Sequence, residues 1–484
     1  MEVPLEERSS HLTVVALRRL VGIALTLVLA GALTYVVPHL QRVRPWVGGE
    51  GVPVVRLFAG ERQTELPDFQ GATATAAAAS PAPIEAAEND TSGPTPTGVT
   101  VSPHEYADVA QPIENAAALS TFYEALRHSA QAEPRAITRV AHYGDSAVAA
   151  DEITCTARRK LQARFGDSGH GFMLTARGTM FYGHRDVSHR ESSGWELASV
   201  VRRALHSGHY GYGGVVASGH AGEYTSFGTV DSGPIGHSVA RFELFYQRFA
   251  SGGELRLSVD GAAPQSVNTR AAAPEDAWET IRVPDGDHSL VVRARGDVRV
   301  YGVSQERDTP GVVYDALGLV GARADRLLDA NPRHMSLQIA HRDPHLLVLG
   351  FGGNEAGDWL DAPRYEHDLN KVIKLMRAGK PNMSCLLFGP LDQGQRNARG
   401  DIVTLRTLPT IIEVQRRVAV AQGCAFFDAF QAMGGEGSVG RWYRARPRLF
   451  SPDFRHATPE GYAQIGKQYY EALLKGFAEY LGQH

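Results

Sequence analysis

The period of the apolar pattern changes twice along the chain, and that change limits the fold more than any other feature. Up to about residue 175, an apolar run at 136–141 leads through His142-Tyr143-Gly144-Asp145-Ser146 into DEITCTARRKLQARF. There Ile153, Ala157, Leu161 and Phe165 recur every four residues, the spacing of an amphipathic helix. From about residue 304 the same alternation returns. Apolar runs at 345–351, 384–388 and 425–427 are separated by helical patterns over 365–378 and 407–421, and 459–481 closes the chain. Between the two parts, RFELFYQ, ELRLSVDG, HSLVVRARG and DVRVYGV alternate with period two, and Asp260-Gly261 and Asp285-Gly286 supply turns. Strand alternating with helix builds a parallel sheet covered by helices. Period two builds antiparallel sheets. The expected fold class is α/β: a three-layer α/β/α domain with a parallel sheet, interrupted by an inserted antiparallel β-sandwich.

The remaining boundaries come from composition. Leu20–Val37 is a run of eighteen residues without a charge. As a helix it spans about 27 Å, close to a bilayer's hydrocarbon core. A cleaved signal peptide is the rival, since Ala30-Gly31-Ala32 fits a small-x-small cleavage site. Arginines stand on both sides of the run and leave its orientation open. We expect an uncleaved signal anchor over 1–40 and a flexible Ala/Pro/Thr-rich tether over 41–112. The catalytic domain then occupies 113–175 and 304–484 around a β-rich insert at 176–303. The expected location is the inner membrane, single-pass, with the catalytic domain in the periplasm or otherwise outside the cytoplasm.

Lys and Arg number 49 against 53 Asp and Glu, a net charge of −4, so no basic surface calls for nucleic acid. Cys155, Cys385 and Cys424 are far apart and show no metal-ligand spacing, and are read as unpaired structural thiols.

Three elements at predicted strand ends suit acyl transfer. Gly144-Asp145-Ser146 offers a hydroxyl on a tight turn that opens a helix. Asp453-Phe454-Arg455-His456 supplies an imidazole and, three residues earlier, a carboxylate. A serine hydroxyl is nearly inert at neutral pH, so an imidazole must take its proton and an acid must hold that imidazole's tautomer. Gly352-Gly353-Asn354 ends an apolar run and places an amide donor where an oxyanion could be met. A second GDS, Gly166-Asp167-Ser168, follows the amphipathic helix and is read as a helix-terminating loop.

In their order these blocks resemble the SGNH (GDSL-type) hydrolase superfamily. GDS matches its first block and DxxH its last, while Gly352-Gly353-Asn354-Glu355 stands for its GxND. The lone glycine of its second block is best matched by Gly321 in ALGLVGARAD. Val320 and Glu355 depart from the common Asn and Asp. The resemblance covers roughly 113–174 and 310–482. It implies an SGNH-type fold, a triad of Ser146, Asp453 and His456, and an oxyanion hole from the Ser146 and Gly321 N–H groups with the Asn354 side chain. It implies no cofactor and no metal. HYGDS, FGDSGHGF, GGNEAGD and FFDAFQAMGGEGSVGRW are further similar to exported peptidoglycan O-acetylesterases and O-acetyltransferases. The expected function is a serine O-acetylesterase acting on an O-acetylated cell-envelope polysaccharide, peptidoglycan first. One alternative is an O-acetyltransferase using the same triad with a membrane acetyl-donor partner. The other is a non-catalytic glycan-binding protein, against which the intact Ser146, Asn354, Asp453 and His456 argue.

Several residues carry plainer expectations. His142 is read as a satisfied strand histidine, Asp145 as a turn-pinning carboxylate, Arg455 as a solvated charge and Asp428 as a loop former. Trp195, Tyr210, Tyr212 and Tyr224 are read as packing residues of the β-domain in preference to a sugar platform. His184, Asp186 and His189 do not share one strand face and are not read as metal ligands.

Overall fold

The computed structural model describes residues 46–47, 50–51 and 99–484, apart from 203, 204, 358 and 484. The expected anchor, and most of the expected tether, lie outside the described residues. Within the tether, Trp46–Val47 pairs antiparallel with Glu50–Gly51.

Five strands form a parallel sheet: β1 (Ile137–Gly144), β2 (Gly311–Gly318), β3 (Leu346–Gly350), β4 (Ser384–Phe388) and β5 (Ala425–Phe427). Their spatial order is β2-β1-β3-β4-β5. The chain therefore starts inside the sheet and winds outward both ways, which puts a topological switch point between β1 and β3. Open α/β sheets bind ligands beyond the carboxyl ends of the strands at such a point. Register sharpens this, because Gly144 aligns with Gly318 on one side and Gly350 on the other. Three strand ends thus stop level, each on a glycine.

Alternation along the buried strands divides the core in two. Val140, Leu346, Val348 and Leu386 face α1 (Ser120–Ala130), α2 (Glu152–Phe165) and α6 (Pro459–Leu481). Tyr143, Leu347, Leu349 and Leu387 face α3 (Pro332–Arg342), α4 (Ala362–Arg377) and α5 (Leu408–Ala421). This is the expected three-layer arrangement. Two elements differ from expectation. Gly311–Gly318 is a full edge strand, hidden in the sequence by Asp315 within its apolar run. The segment GARADRLLDA from Gly321, whose apolar spacing suits a helix, forms only a 3-10 turn, Ala324–Asp329.

The antiparallel strands between β1 and β2 form two sheets, and side chains from both, such as Leu255 and Val292 against Phe242 and Val300, make one core between them. Pairing runs slightly beyond 176–303, because Gly171–Leu174 pairs with Val298–Glu306. This sandwich is not insulated from the parallel sheet. Phe172, Tyr212, Phe245 and Tyr301 share a core with Leu317, Leu349 and Ile339. A buried ion network crosses the same boundary. Arg342 on α3 holds Asp315 of β2 at 2.7 and 2.8 Å and also binds Glu306, which Arg139 of β1 meets at 2.8 Å and Arg241 also reaches.

The cysteines correct the sequence reading. Cys385 on β4 and Cys424, just before β5, form a disulfide, while Cys155 is free and buried. The two half-cystines are 39 residues apart, and only the adjacency of β4 and β5 brings them together.

Candidate active site

Each level strand end is followed by one of the expected residues: Ser146 after β1, Gly321 after β2 and Asn354 after β3. The close approach of the Ser146–Ala149 turn of helix requires the glycines. A Cβ on Gly144 would lie 2.4 Å from the Val148 side chain, and one on Gly318 would lie 2.1 Å from the Ala149 nitrogen. Asp145 caps this turn, its Oδ1 accepting the Ala147 N–H at 2.9 Å. Burial pushes the Asp145 carboxyl up to about 6, and the Ala147 N–H bond only partly offsets that. It pins the turn, as expected.

Asp453 and His456 approach from the loop before α6. Asp453 Oδ1 accepts the N–H groups of Arg455 and His456 at 2.9 and 3.1 Å, and Phe454 takes a left-handed φ of 55° to allow it. Asp453 Oδ2 accepts from His456 Nδ1 at 2.6 Å. That leaves Nε2 free to accept the Ser146 hydroxyl, 3.0 Å away. The Asp453 hydrogen bond holds His456 above the usual imidazole range, against burial, which pulls it down. For Asp453 burial acts upward, but the bonds from His456 and the two N–H groups carry it below its ordinary value. The resulting relay of carboxylate, imidazole and hydroxyl can move a proton off Ser146 and return it to a leaving group.

On the opposite side, Asn354 Nδ2 donates to the Ala322 carbonyl at 2.8 Å, leaving its second N–H available. Gly321 occupies an exposed turn with φ 81°, tied to β1 by the Leu319 N–H bond to the Gly144 carbonyl at 2.9 Å. Glu355, noticed in the sequence only as a departure from Asp, braces these loops together. Its carboxylate accepts the Ala324 N–H at 3.0 Å and the Gly352 N–H at 3.1 Å, and burial pushes it up to about 7. Ser146, Asn354 and His456 open onto a cavity of about 340 Å³, also lined by Asp145, Gly353, Gln393 and Arg455. Gly321 is outside that lining.

Other expectations resolve as follows. Ser168 of the second GDS is buried and donates to the Thr309 carbonyl at 2.7 Å, in the loop that ends α2. His142 is buried with Nδ1 2.8 Å from the Tyr314 hydroxyl, and burial lowers it to about 3. Arg455 is not a solvated charge: it lines the cavity and donates to Gln393 Oε1 at 3.1 Å. Trp195, Tyr210 and Tyr212 are buried, and the Arg293 guanidinium stands 5.1 Å from the Tyr224 ring centroid. Asp428 caps Ala429–Ala432 and pairs with Arg416.

Asp186 pairs with Arg159, and His189 stacks on Phe227. Two other groups of three, Asp151/His170/His184 and His209/Asp276/His334, have ligand atoms close together. Several of their lone pairs are committed, although His170 Nδ1 is buried without a partner. Asp151 accepts from Thr154, from the Arg185 N–H and twice from Arg158, while His334 Nε2 accepts the Gly211 N–H and Nδ1 faces Asp276.

Residues 291–464 match the GDSL-like Lipase/Acylhydrolase family. No curated protein matches the chain. Among solved structures, one described as a peptidoglycan O-acetylesterase in action superposes with a TM-score of 0.63 at 21% identity, covering 73% of this chain and 95% of its own. A family two carbohydrate esterase from Cellvibrio japonicus gives a TM-score of 0.25 at 9% identity, covering 61% of this chain and 99% of its own. The family match includes Gly321, Asn354, Asp453 and His456, and the superposition over 73% of the chain takes in β-sandwich as well as parallel sheet. The chain thus carries a GDSL-like Lipase/Acylhydrolase region over 291–464 and is similar in fold to the peptidoglycan O-acetylesterase structure.

Proposed function

We propose that this hydrolase is a serine esterase that removes O-acetyl groups from a cell-envelope polysaccharide, peptidoglycan, through an acyl-enzyme on Ser146. The observation that carries the reading is the continuous hydrogen-bonded line from Asp453 through His456 to Ser146 at the cavity wall. Ser146 Oγ attacks the acetyl carbonyl as His456 Nε2 takes its proton. The Ser146 and Gly321 N–H groups and Asn354 Nδ2 receive the oxyanion. The sugar oxygen leaves with the proton from His456, and water then releases acetate by the reverse sequence.

The fold likeness to the peptidoglycan O-acetylesterase supports the choice of substrate. Export to an oxidising compartment, with the 20–37 run as membrane anchor, is supported by the Cys385–Cys424 disulfide. Among the described residues no helix is long and apolar enough to cross a membrane.

The deciding experiment is acetate release from O-acetylated peptidoglycan by the wild type and Ser146→Ala, with and without an acceptor sugar. The reading requires release that depends on Ser146 and is unchanged by acceptor. Acetylated acceptor appearing at the expense of acetate would make the protein a transferase.

A further inference from the structure

We infer that the catalytic domain docks on an anionic phospholipid surface through a face of unpaired arginines that flanks the catalytic loop. The inference rests on the anchored placement proposed above and is independent of the ester chemistry.

The face is assembled from three segments. A hairpin, Gly394–Arg396 with Ile402–Thr404, packs on a short helix, Ser438–Arg444. The Gly437 N–H at the start of that helix donates to Thr404 Oγ1 at 2.8 Å. The loop beyond the helix returns to the hairpin, where the Gly394 N–H donates to the Phe454 carbonyl at 2.9 Å. Two rings join the parts, Phe454 and Tyr443 meeting edge to face with centroids 5.0 Å apart. The Arg396 guanidinium stands 5.2 Å from the Phe454 centroid, and that of Arg448 stands 4.4 Å from the Tyr443 centroid. Arg399 in the hairpin turn, Arg441 and Arg444 on the helix and Arg446 after it are exposed on the same segments. Phe454 lies between Asp453 and His456 in the chain, so the face adjoins the active site.

The charge of this face is unbalanced. Arginines elsewhere on the surface meet carboxylates, as Arg127 meets Glu124, Arg159 meets Asp186 and Arg417 meets Glu366. Among the described residues none of these six does. Arg396, Arg441 and Arg446 bond backbone carbonyls, and Arg448 stacks on its ring. Over 394–404 and 434–449 the carboxylates are Asp401 and Glu436 alone. A chain with a net charge of −4 has thus gathered positive charge in one place, at a cost in self-repulsion that a polyanion would offset.

Which polyanion fits follows from the groups left over. Asn397 is spent on the hairpin turn, accepting the Arg399 and Asp401 N–H groups and donating to the Asp401 carboxylate. Thr404 accepts from Gly437, and Ser438 donates to Asp392. With these amide and hydroxyl groups committed, the face offers guanidinium forks and aromatic rings. Those suit a layer of phosphates over an apolar boundary better than the hydroxyls of a sugar chain. The 20–37 run, read as a membrane anchor, leads into the described domain through residues 38–98. A bilayer is then the polyanion the domain is held beside, and a tethered face needs only weak affinity of its own.

The test uses the full chain in phosphatidylcholine nanodiscs, with and without phosphatidylglycerol, carrying a trace of dansyl lipid. Trp442, on the helix of the arginine face, is the energy donor. Transfer to dansyl should be higher with phosphatidylglycerol. The difference should vanish in 1 M salt, where the screening length falls to about 3 Å. R399Q/R444Q/R446Q should lower the docking equilibrium by on the order of a hundredfold and remove the lipid-dependent transfer, with thermal unfolding unchanged. W442F should remove most of the difference, which ties the signal to this face. Equal transfer with and without phosphatidylglycerol, or lipid-dependent transfer kept in the triple variant, would overturn the inference. Arginine-dependent binding of a soluble acidic polysaccharide with no gain from phosphatidylglycerol would also overturn it and give the face to a polymer. A chain that does not enter nanodiscs would instead defeat the anchor reading, and the same comparison on added vesicles would still decide the face.

Discussion

The side-chain amide of Asn354 donates a 2.8 Å hydrogen bond to the carbonyl of Ala322, so the loop after β3 holds the turn that carries Gly321. The two loops carrying the proposed oxyanion donors are therefore tied to each other, and Glu355 adds a second tie through the Ala324 and Gly352 N–H groups. Asn354→Ala should lower kcat on a small acetyl ester by about 10²–10³, with a much smaller change in KM. A loss below about tenfold would remove Asn354 from the oxyanion role.

Ser146 and Ser168 occur in identical tripeptides but in opposite surroundings. A fluorophosphonate probe should label Ser146 and spare Ser168, mapped by peptide mass spectrometry. Ser168→Ala should lower thermal stability by about 1 kcal/mol through the lost bond to Thr309, with kcat largely kept. Labelling at Ser168 would reverse the assignment.

The pH dependence follows from His456. It must be neutral to take the serine proton, and Asp453 raises it above 6.5. Activity should therefore be lost as pH falls through that raised value, giving an acid limb above pH 6.5. Asp453→Asn removes the raising interaction, so the limb should move to lower pH while kcat drops by about 10⁴. A kcat/KM profile whose limb stays fixed would uncouple the two residues.

The disulfide predicts a thiol count. The chain has three cysteines, so unfolding without reductant should expose one reactive thiol, Cys155, and unfolding with reductant three. Replacing Cys385 and Cys424 by Ala should cost about 2–4 kcal/mol in denaturant unfolding. Three thiols without reductant would exclude the bond.

The β-sandwich should not be separable from the catalytic part. Arg342→Met leaves Asp315 and Glu306 buried with fewer partners and should cost about 3–5 kcal/mol by urea unfolding. Excising 171–306 removes Glu306 and much of the shared core, so the remainder should fail to fold. A folded, soluble remainder would show that the shared core is dispensable.

Much of the site was legible because its chemistry is local. Ser146, Asn354 and the Asp453–His456 pair each end an apolar run or open a helix, and a turn a few residues long sets how each side chain is presented. Glu355 and Arg455 were visible only as letters. Their roles depend on backbone N–H groups and a cavity wall supplied by other loops, which no spacing within their own segment reveals.

The sequence by itself determined the alternation of strand and helix, the antiparallel block between, and which residues stand at strand ends, because periodicity and turn chemistry act over a few neighbours. Only the tertiary structure decided that Gly318, Gly144 and Gly350 stop level, that Cys385 meets Cys424, that Gly311–Gly318 is an edge strand around a buried Asp315, and that the sandwich shares its core with the sheet. Each of these is a pairing between residues distant in the chain, selected by burial and register over the whole fold.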